Sequence, residues 1–203
     1  MWDFRIISDM SKLAAEIIWL VGIIAWFVIR YPFARRSRKT AVAQSRQNWL
    51  EWALLSAATL GLFIVPLVYV VTGSPLSAER RASSGLAWLG LATLLGALAI
   101  FRRSHADLGR GWSASLKLRE THKLVTEGIY RRIRHPMYLS FLLLGLAQLL
   151  LLPNWFAGSV GLIAAFLMFA LRVRREEAMM LDRFGAEYRN YMARSKRLIP
   201  GLY

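Results

Sequence analysis

The chain has 203 residues, 56% of them hydrophobic, no cysteine and a formal net charge of +15. So apolar a composition is at odds with a soluble domain, whose surface must be largely polar. The missing cysteines exclude disulfides, thiolate metal sites, a cysteine nucleophile and lipidation of the chain itself.

In chain order, the first apolar run is Leu13 to Ile29. It exceeds the roughly 7–15 residues of a secretory signal core and no small-x-small cleavage site follows, so it is expected to stay as an anchor. Trp52 to Thr72 and Ala82 to Phe101 follow, each long enough to cross a ~30 Å hydrocarbon core as a helix of roughly 17–25 residues. Short loops join these three, and Ala92 and Gly96 are spaced to let helices approach, so residues 1–101 read as a transmembrane scaffold. After a polar connector, Pro136 to Leu171 has no charged residue for 36 positions. Leu152-Pro153-Asn154 interrupts it near the middle, which predicts two short helices in a tight hairpin and five spans in all.

Beyond it, Met180, Phe184, Tyr188 and Tyr191 or Met192 recur every three to four residues, with Arg183, Glu187 and Asn190 on another face. That pattern predicts an amphipathic C-terminal helix on the membrane surface. The expected fold is therefore all-α and polytopic, with residues 102–203 as its functional part.

Charge placement completes the topology. Segments 30–48, 102–135 and 172–203 hold 23 of the 27 Lys and Arg residues, and five spans put all three on one side. The positive-inside bias makes that side cytoplasmic, with the N-terminus outside and the C-terminus inside. The basic face then has anionic headgroups as its partner, and nucleic acid is not needed to explain it. The compact chain suggests a prokaryotic plasma membrane.

A hairpin returns its two feet to one side, so Arg134, His135 and Tyr138 are expected beside Arg172, Glu176 and Glu177. Charged groups at membrane depth are costly without partners and more often mark a site than an anchor. The three histidines are too scattered in sequence to suggest a metal motif.

The run "HKLVTEGIYRRIRHPMY", an apolar hairpin, "EE", "FGAEYRNY" and "RLIPGLY", in that order over residues 102–203, resembles the isoprenylcysteine carboxyl methyltransferase family of membrane enzymes. The resemblance implies methyl transfer from S-adenosyl-L-methionine to a lipophilic, prenylated acceptor. It implies that His122, Lys123, Leu124 and Val125 line the cofactor and that Tyr130 follows them. It also implies that Arg134, His135, Pro136, Met137 and Tyr138 close around the amino-acid end and sulfonium, and that Glu176, with Glu177 beside it, binds a polar group. Arg172, one helical turn before Glu176, matches the family's substrate-contacting arginine and is the expected catalytic residue. One position departs: where family members often carry tryptophan, nine residues after the proline of "RHP", this chain has Gly145.

The chemistry asks little of the protein. A carboxylate acceptor is already ionised, so positioning and electrostatics suffice. An arginine fork can hold it, and Tyr130 or Tyr138 can steady a sulfonium by cation–π attraction. A phospholipid or amine acceptor would need a base, for which His135 or Glu177 is available. "RHPMY" and "RLIPGLY" also resemble membrane sterol reductases, which use NADPH, and a non-catalytic lipid-binding module is a third class. No glycine-rich strand-to-helix turn of the soluble methyltransferase kind is visible.

Overall fold

Apolar runs rich in helix formers and free of interior breakers condense into long rods, and the few breakers set where they end. The computed structural model describes residues 4–37, 42–45, 48–108, 117–119 and 124–201; His122 and Lys123 lie outside these. Along the chain come α1 (Phe4–Ser37), β1 (Val42–Ser45), α2 (Trp49–Thr59), a π-helical turn (Leu60–Ile64) and α3 (Val65–Thr72). Then follow α4 (Ser84–Leu108), β2 (Lys117–Arg119), a 3-10 turn (Gly128–Arg131), α5 (Pro136–Leu151), α6 (Trp155–Phe184) and α7 (Ala186–Arg194).

Among the described residues, four helices are long and apolar enough to cross a membrane: Lys12–Arg35, Trp49–Thr72, Ser84–Leu108 and Trp155–Phe184. The 16 residues of α5 rise only ~24 Å. That helix packs along α4 and α6 all the same, and contacts at the two ends of the bundle show how the helices run. At one end, the turn end, Lys12 of α1 pairs with Glu79 at 2.8 Å, and Asn154 of the hairpin turn donates to the Pro75 carbonyl at 2.8 Å. At the other, the foot end, Phe33 of α1 lies 5.1 Å from the His105 ring at the close of α4, and Glu51 opens α2 beside Arg172 of α6. Exposed tryptophans mark both ends, Trp49 and Trp52 at the foot, Trp88 and Trp155 at the turn, as interfacial belts do.

Several expectations need correction. The hairpin arms are unequal: α6 has 30 residues and runs past Leu171 to Phe184, because no breaker interrupts "RVRREEAMMLDRF" and Arg172 pairs with Glu176 one turn on. The C-terminal amphipathic stretch is not one helix. Gly185, at φ +52°, ends α6 and redirects the chain into α7, a left-handed backbone that favours glycine. Tyr188 and Tyr191 are thereby buried while Arg183, Glu187 and Asn190 stay exposed. The close face of α4 runs through Gly90, Leu94 and Ala97; Ala92 is exposed, and a Cβ on Gly96 would meet nothing within 4 Å. The all-α expectation also missed a short antiparallel ribbon, in which Val42 pairs with Arg119 and Ser45 with Lys117, tying the loops after α1 and α4 together.

Inside the bundle, Trp26 stacks on Phe101 at 5.0 Å within a cluster that includes Trp19, Leu62, Tyr69 and Leu144. The buried amide of Gln148 donates to the carbonyls of Gly61 (3.0 Å), in the π-helical turn, and Ala157 (2.6 Å), joining α2–α3 to both hairpin arms. Position 145 sits where α5 meets α6 most tightly. A Cβ there would come within 2.5 Å of the Leu162 Cα, so no tryptophan fits and the departure is a packing choice of this hairpin.

Candidate functional site

At the foot end, Pro136 starts α5 and fixes the chain just where "RRIRH" leaves the connector. The C-terminal strand of chain after α7 runs alongside: Arg134 N donates to Lys196 O at 2.7 Å, His135 N to Arg197 O at 3.0 Å, and Lys196 N to Arg132 O at 3.0 Å. This backbone lacing holds residues 132–135 against 196–197 and presents Arg134 and His135 to α6.

The two feet meet as expected. Arg134 Nε donates to Glu177 Oε1 at 3.0 Å, and His135 Nε2 lies 3.3 Å from the same oxygen. Arg197 closes on Glu177 from the other side, with Nη2 2.7 Å from Oε2 and Nε 3.1 Å from it. Arg134 Nη1 also donates to the Ser195 and Met192 carbonyls. Glu177, 5% exposed at its side chain, is therefore surrounded by cations that fasten the tail.

Glu176 is different. At 24% exposed it is the most open acid of the cluster, accepting from Tyr138 Oη at 2.9 Å and from Arg172 Nη2 at 3.3 Å, with His135 Nδ1 3.6 Å away. Arg172 lies with its guanidinium carbon 5.8 Å from the Tyr138 ring centroid, and Phe169 meets that ring edge-on at 5.5 Å. The arginine is buried, and its Nε has no hydrogen-bond partner among the described residues. Unpaired buried donors are rare enough to need a reason.

Tyr130 is buried, with its hydroxyl 3.4 Å from the Ser104 carbonyl of α4 and its own carbonyl accepting from Tyr191 Oη at 2.6 Å. Asp107 accepts from Ile129 N at 2.8 Å, so the end of α4 shapes the turn that carries Tyr130. Burial raises the Tyr130 and Tyr188 phenols above their ordinary range and pushes Tyr191 up to about 12, so all three stay neutral donors at physiological pH. Leu124, Val125 and Met137 are half-buried and Pro136 is buried.

Sequence reading missed Glu51 and Arg197. Glu51, 1% exposed, places Oε1 3.0 Å from Arg172 Nη2, so the second span is part of the site and not scaffold alone. A signal existed, since Glu51 is the only acid between Glu16 and Glu79 and opens an apolar span. Arg197 stood in "RLIPGLY", but nothing in the sequence points it at Glu177.

Residues 89–182, from α4 through most of α6, match the model of the Isoprenylcysteine carboxyl methyltransferase (ICMT) family. That stretch, just under half of the chain, resembles the ICMT family. Protein-S-isoprenylcysteine O-methyltransferase B of Arabidopsis thaliana is 34% identical over 94 residues, 45% of this chain and 48% of the relative. The Protein-S-isoprenylcysteine O-methyltransferase of Schizosaccharomyces pombe is 33% identical over 107 residues, 51% of this chain and 45% of the relative. The chain thus spans about half the length of these ICMT relatives. The solved eukaryotic intramembrane Ras methyltransferase ICMT shares the fold at a TM-score of 0.54 and 20% identity, covering 76% of this chain and 54% of that one. These relatives are eukaryotic and give the expectation of a prokaryotic membrane no support.

Proposed function

We propose that this chain transfers a methyl group from S-adenosyl-L-methionine to the carboxylate of a lipophilic, isoprenylcysteine-type acceptor at the cytoplasmic foot of the α5–α6 hairpin. Arg172 carries the reading. It is 5% exposed, two carboxylates hold its Nη2, and its Nε is a buried donor with no partner among the described residues. A carboxylate is the group that an arginine edge accepts best.

The surrounding residues suit the methyl donor, which when bound supplies a sulfonium methyl to an aligned nucleophile. Glu176 offers an accessible acceptor for a polar group of the donor, and His135 and Tyr138 flank it. Pro136, Met137, Leu124, Val125 and Tyr130 supply less polar walls, joined in this reading by His122 and Lys123. Arg134 and Glu177 act by fastening the tail against the α5 foot rather than by touching the donor. The chain needs no general base: Arg172 orients an ionised acceptor, and its neighbours exclude water from the reacting pair. Five crossings, with the N-terminus outside and the C-terminus cytoplasmic, bring the polar donor from the aqueous side and the greasy acceptor from the bilayer.

The deciding experiment reconstitutes the protein in liposomes and compares Arg172→Ala with wild type. S-adenosylhomocysteine affinity by calorimetry should stay within about twofold, while methyl transfer to a farnesylated cysteine falls about 100-fold or more. Equal loss of both would move Arg172 to the donor. Wild-type transfer to phospholipid or amine instead of the prenylcysteine would overturn the acceptor. A reporter fused after Tyr203 should read cytoplasmic.

A further inference from the structure

Glu51 lies outside residues 89–182, the stretch matched by the family model, and its placement needs an explanation of its own. Asn48 caps α2 by accepting from Glu51 N at 3.0 Å, which fixes the first turn. Leu54 and Ala58 pack with Met168, Phe169 and Val173 in one buried cluster, so α2 is held against α6 by apolar contacts. Those contacts need no charge. A buried ion pair adds little stability over an apolar pair of similar volume, because desolvation offsets most of the attraction. Glu51 is nonetheless 1% exposed with Oε1 3.0 Å from Arg172 Nη2.

Glu176 holds the same Nη2 at 3.3 Å, but it sits on the arginine's own helix and moves with it. Glu51 is the partner from a different helix. Two carboxylates approaching one nitrogen from two helices fix the plane of the guanidinium, and Nε is a buried donor with no hydrogen bond among the described residues. We infer that Glu51 is a positioning residue: it aims Arg172 Nε at the acceptor's carboxylate and so sets the preference for a free acid over its ester. This rests on the carboxylate reading of Arg172 given above and extends the site to α2.

The test needs no turnover. Binding of N-acetyl-S-farnesylcysteine and of its methyl ester is measured by thermophoresis on full-length protein in nanodiscs, for wild type, Glu51→Gln and Glu51→Asp. Wild type should bind the acid more tightly than the ester. Glu51→Gln, which keeps the shape and removes the charge, should leave ester affinity within about twofold and reduce the acid-to-ester ratio by about tenfold. Glu51→Asp should reduce that ratio to a lesser extent, and it decides the matter if the glutamine variant does not fold. An unchanged ratio in both variants, or equal loss of acid and ester binding in the variant that folds, makes Glu51 a packing residue and overturns the inference while the proposed reaction stands. Tighter acid binding in Glu51→Gln makes Glu51 a competitor for Arg172 and overturns it too. A wild type that does not distinguish acid from ester overturns both this inference and the carboxylate acceptor.

Discussion

The two ends of the α5–α6 hairpin are both polar, and they use their charge differently. At the turn, Arg80 Nη2 donates to the carbonyls of Leu149, Leu150 and Leu152 at 2.6, 3.0 and 3.1 Å, and Arg80 N donates to Pro153 O at 2.9 Å. Asn154 also serves backbone groups, its Nδ2 donating to Pro75 O and its Oδ1 accepting from Ala157 N. The partners of Arg80 are carbonyls that the end of α5 and the turn after it would otherwise leave unsatisfied, Ala157 N is a first-turn donor of α6, and a cation at a helix C-terminus also suits its dipole. At the foot, the partners of Arg134, Arg172 and Arg197 include the ionisable side chains Glu51, Glu176 and Glu177. Arg80 also has a buried Nε without a hydrogen bond among the described residues, so an orphan donor by itself marks no site. What separates the ends is the company: backbone carbonyls terminate a helix at the turn, whereas carboxylates from two helices meet Arg172 at the foot, where the chemistry is proposed.

The foot itself divides, and the largest expected effect lies there. Glu177→Ala leaves Arg134, His135 and Arg197 around a missing charge, and breaking a buried pair from one side costs about 3–5 kcal/mol. Thermal unfolding in detergent should show that loss, together with proteolytic release of the tail after α7. Glu176→Ala should change stability by only about 1 kcal/mol, because that carboxylate is partly exposed. It should weaken S-adenosylhomocysteine binding instead. If the two variants behave alike, the division between a fastening acid and a working acid fails.

Next in size is the turn end. Arg80→Met keeps an apolar stem but removes the guanidinium that lies over the Trp155 ring and donates to three carbonyls, at a cost of about 1–3 kcal/mol. S-adenosylhomocysteine affinity of the folded fraction should not move. A drop in that affinity would mean that the turn communicates with the foot and that the contrast between the ends is false.

The same contrast explains what could be read without coordinates. Apolar runs, their breakers at Pro153 and Asn154, and the meeting of "RRIRHPMY" with "EE" all follow from local pattern plus the return of a hairpin, and these placed Arg134, His135 and Tyr138 beside Glu176 and Glu177. The long reach of α6 was hidden because an abrupt switch from apolar to charged residues looks like an end, while helix continuity depends on the absence of a breaker before Gly185. Glu51, Arg197 and Arg80 were hidden for another reason. Each acts across a sequence separation of 20 to 121 residues on a partner chosen by tertiary packing, for which one sequence holds no periodicity. Gly145 was read as a missing aromatic, when packing of two backbones had already excluded any side chain there.

The smallest expected effect tests whether α7 belongs with the foot. Tyr191 Oη donates to the Tyr130 carbonyl at 2.6 Å, joining the last helix to the turn before α5. Tyr191→Phe removes that bond and should lower stability by about 1 kcal/mol. Its pH dependence has a definite sign. Burial raises the folded-state phenol to about 12, partly opposed by Arg134, Ser195 and Arg194, whereas the unfolded phenol ionises near 10. Between those values the unfolded state has lost a proton that the folded state keeps, so stability falls as pH rises through that window and the loss levels off above it. Wild type should therefore lose stability more steeply than Tyr191→Phe between about pH 10 and 12, with the two curves parallel below it. Parallel curves throughout would mean that the hydroxyl is not buried against Tyr130, and that α7 lies apart from the foot.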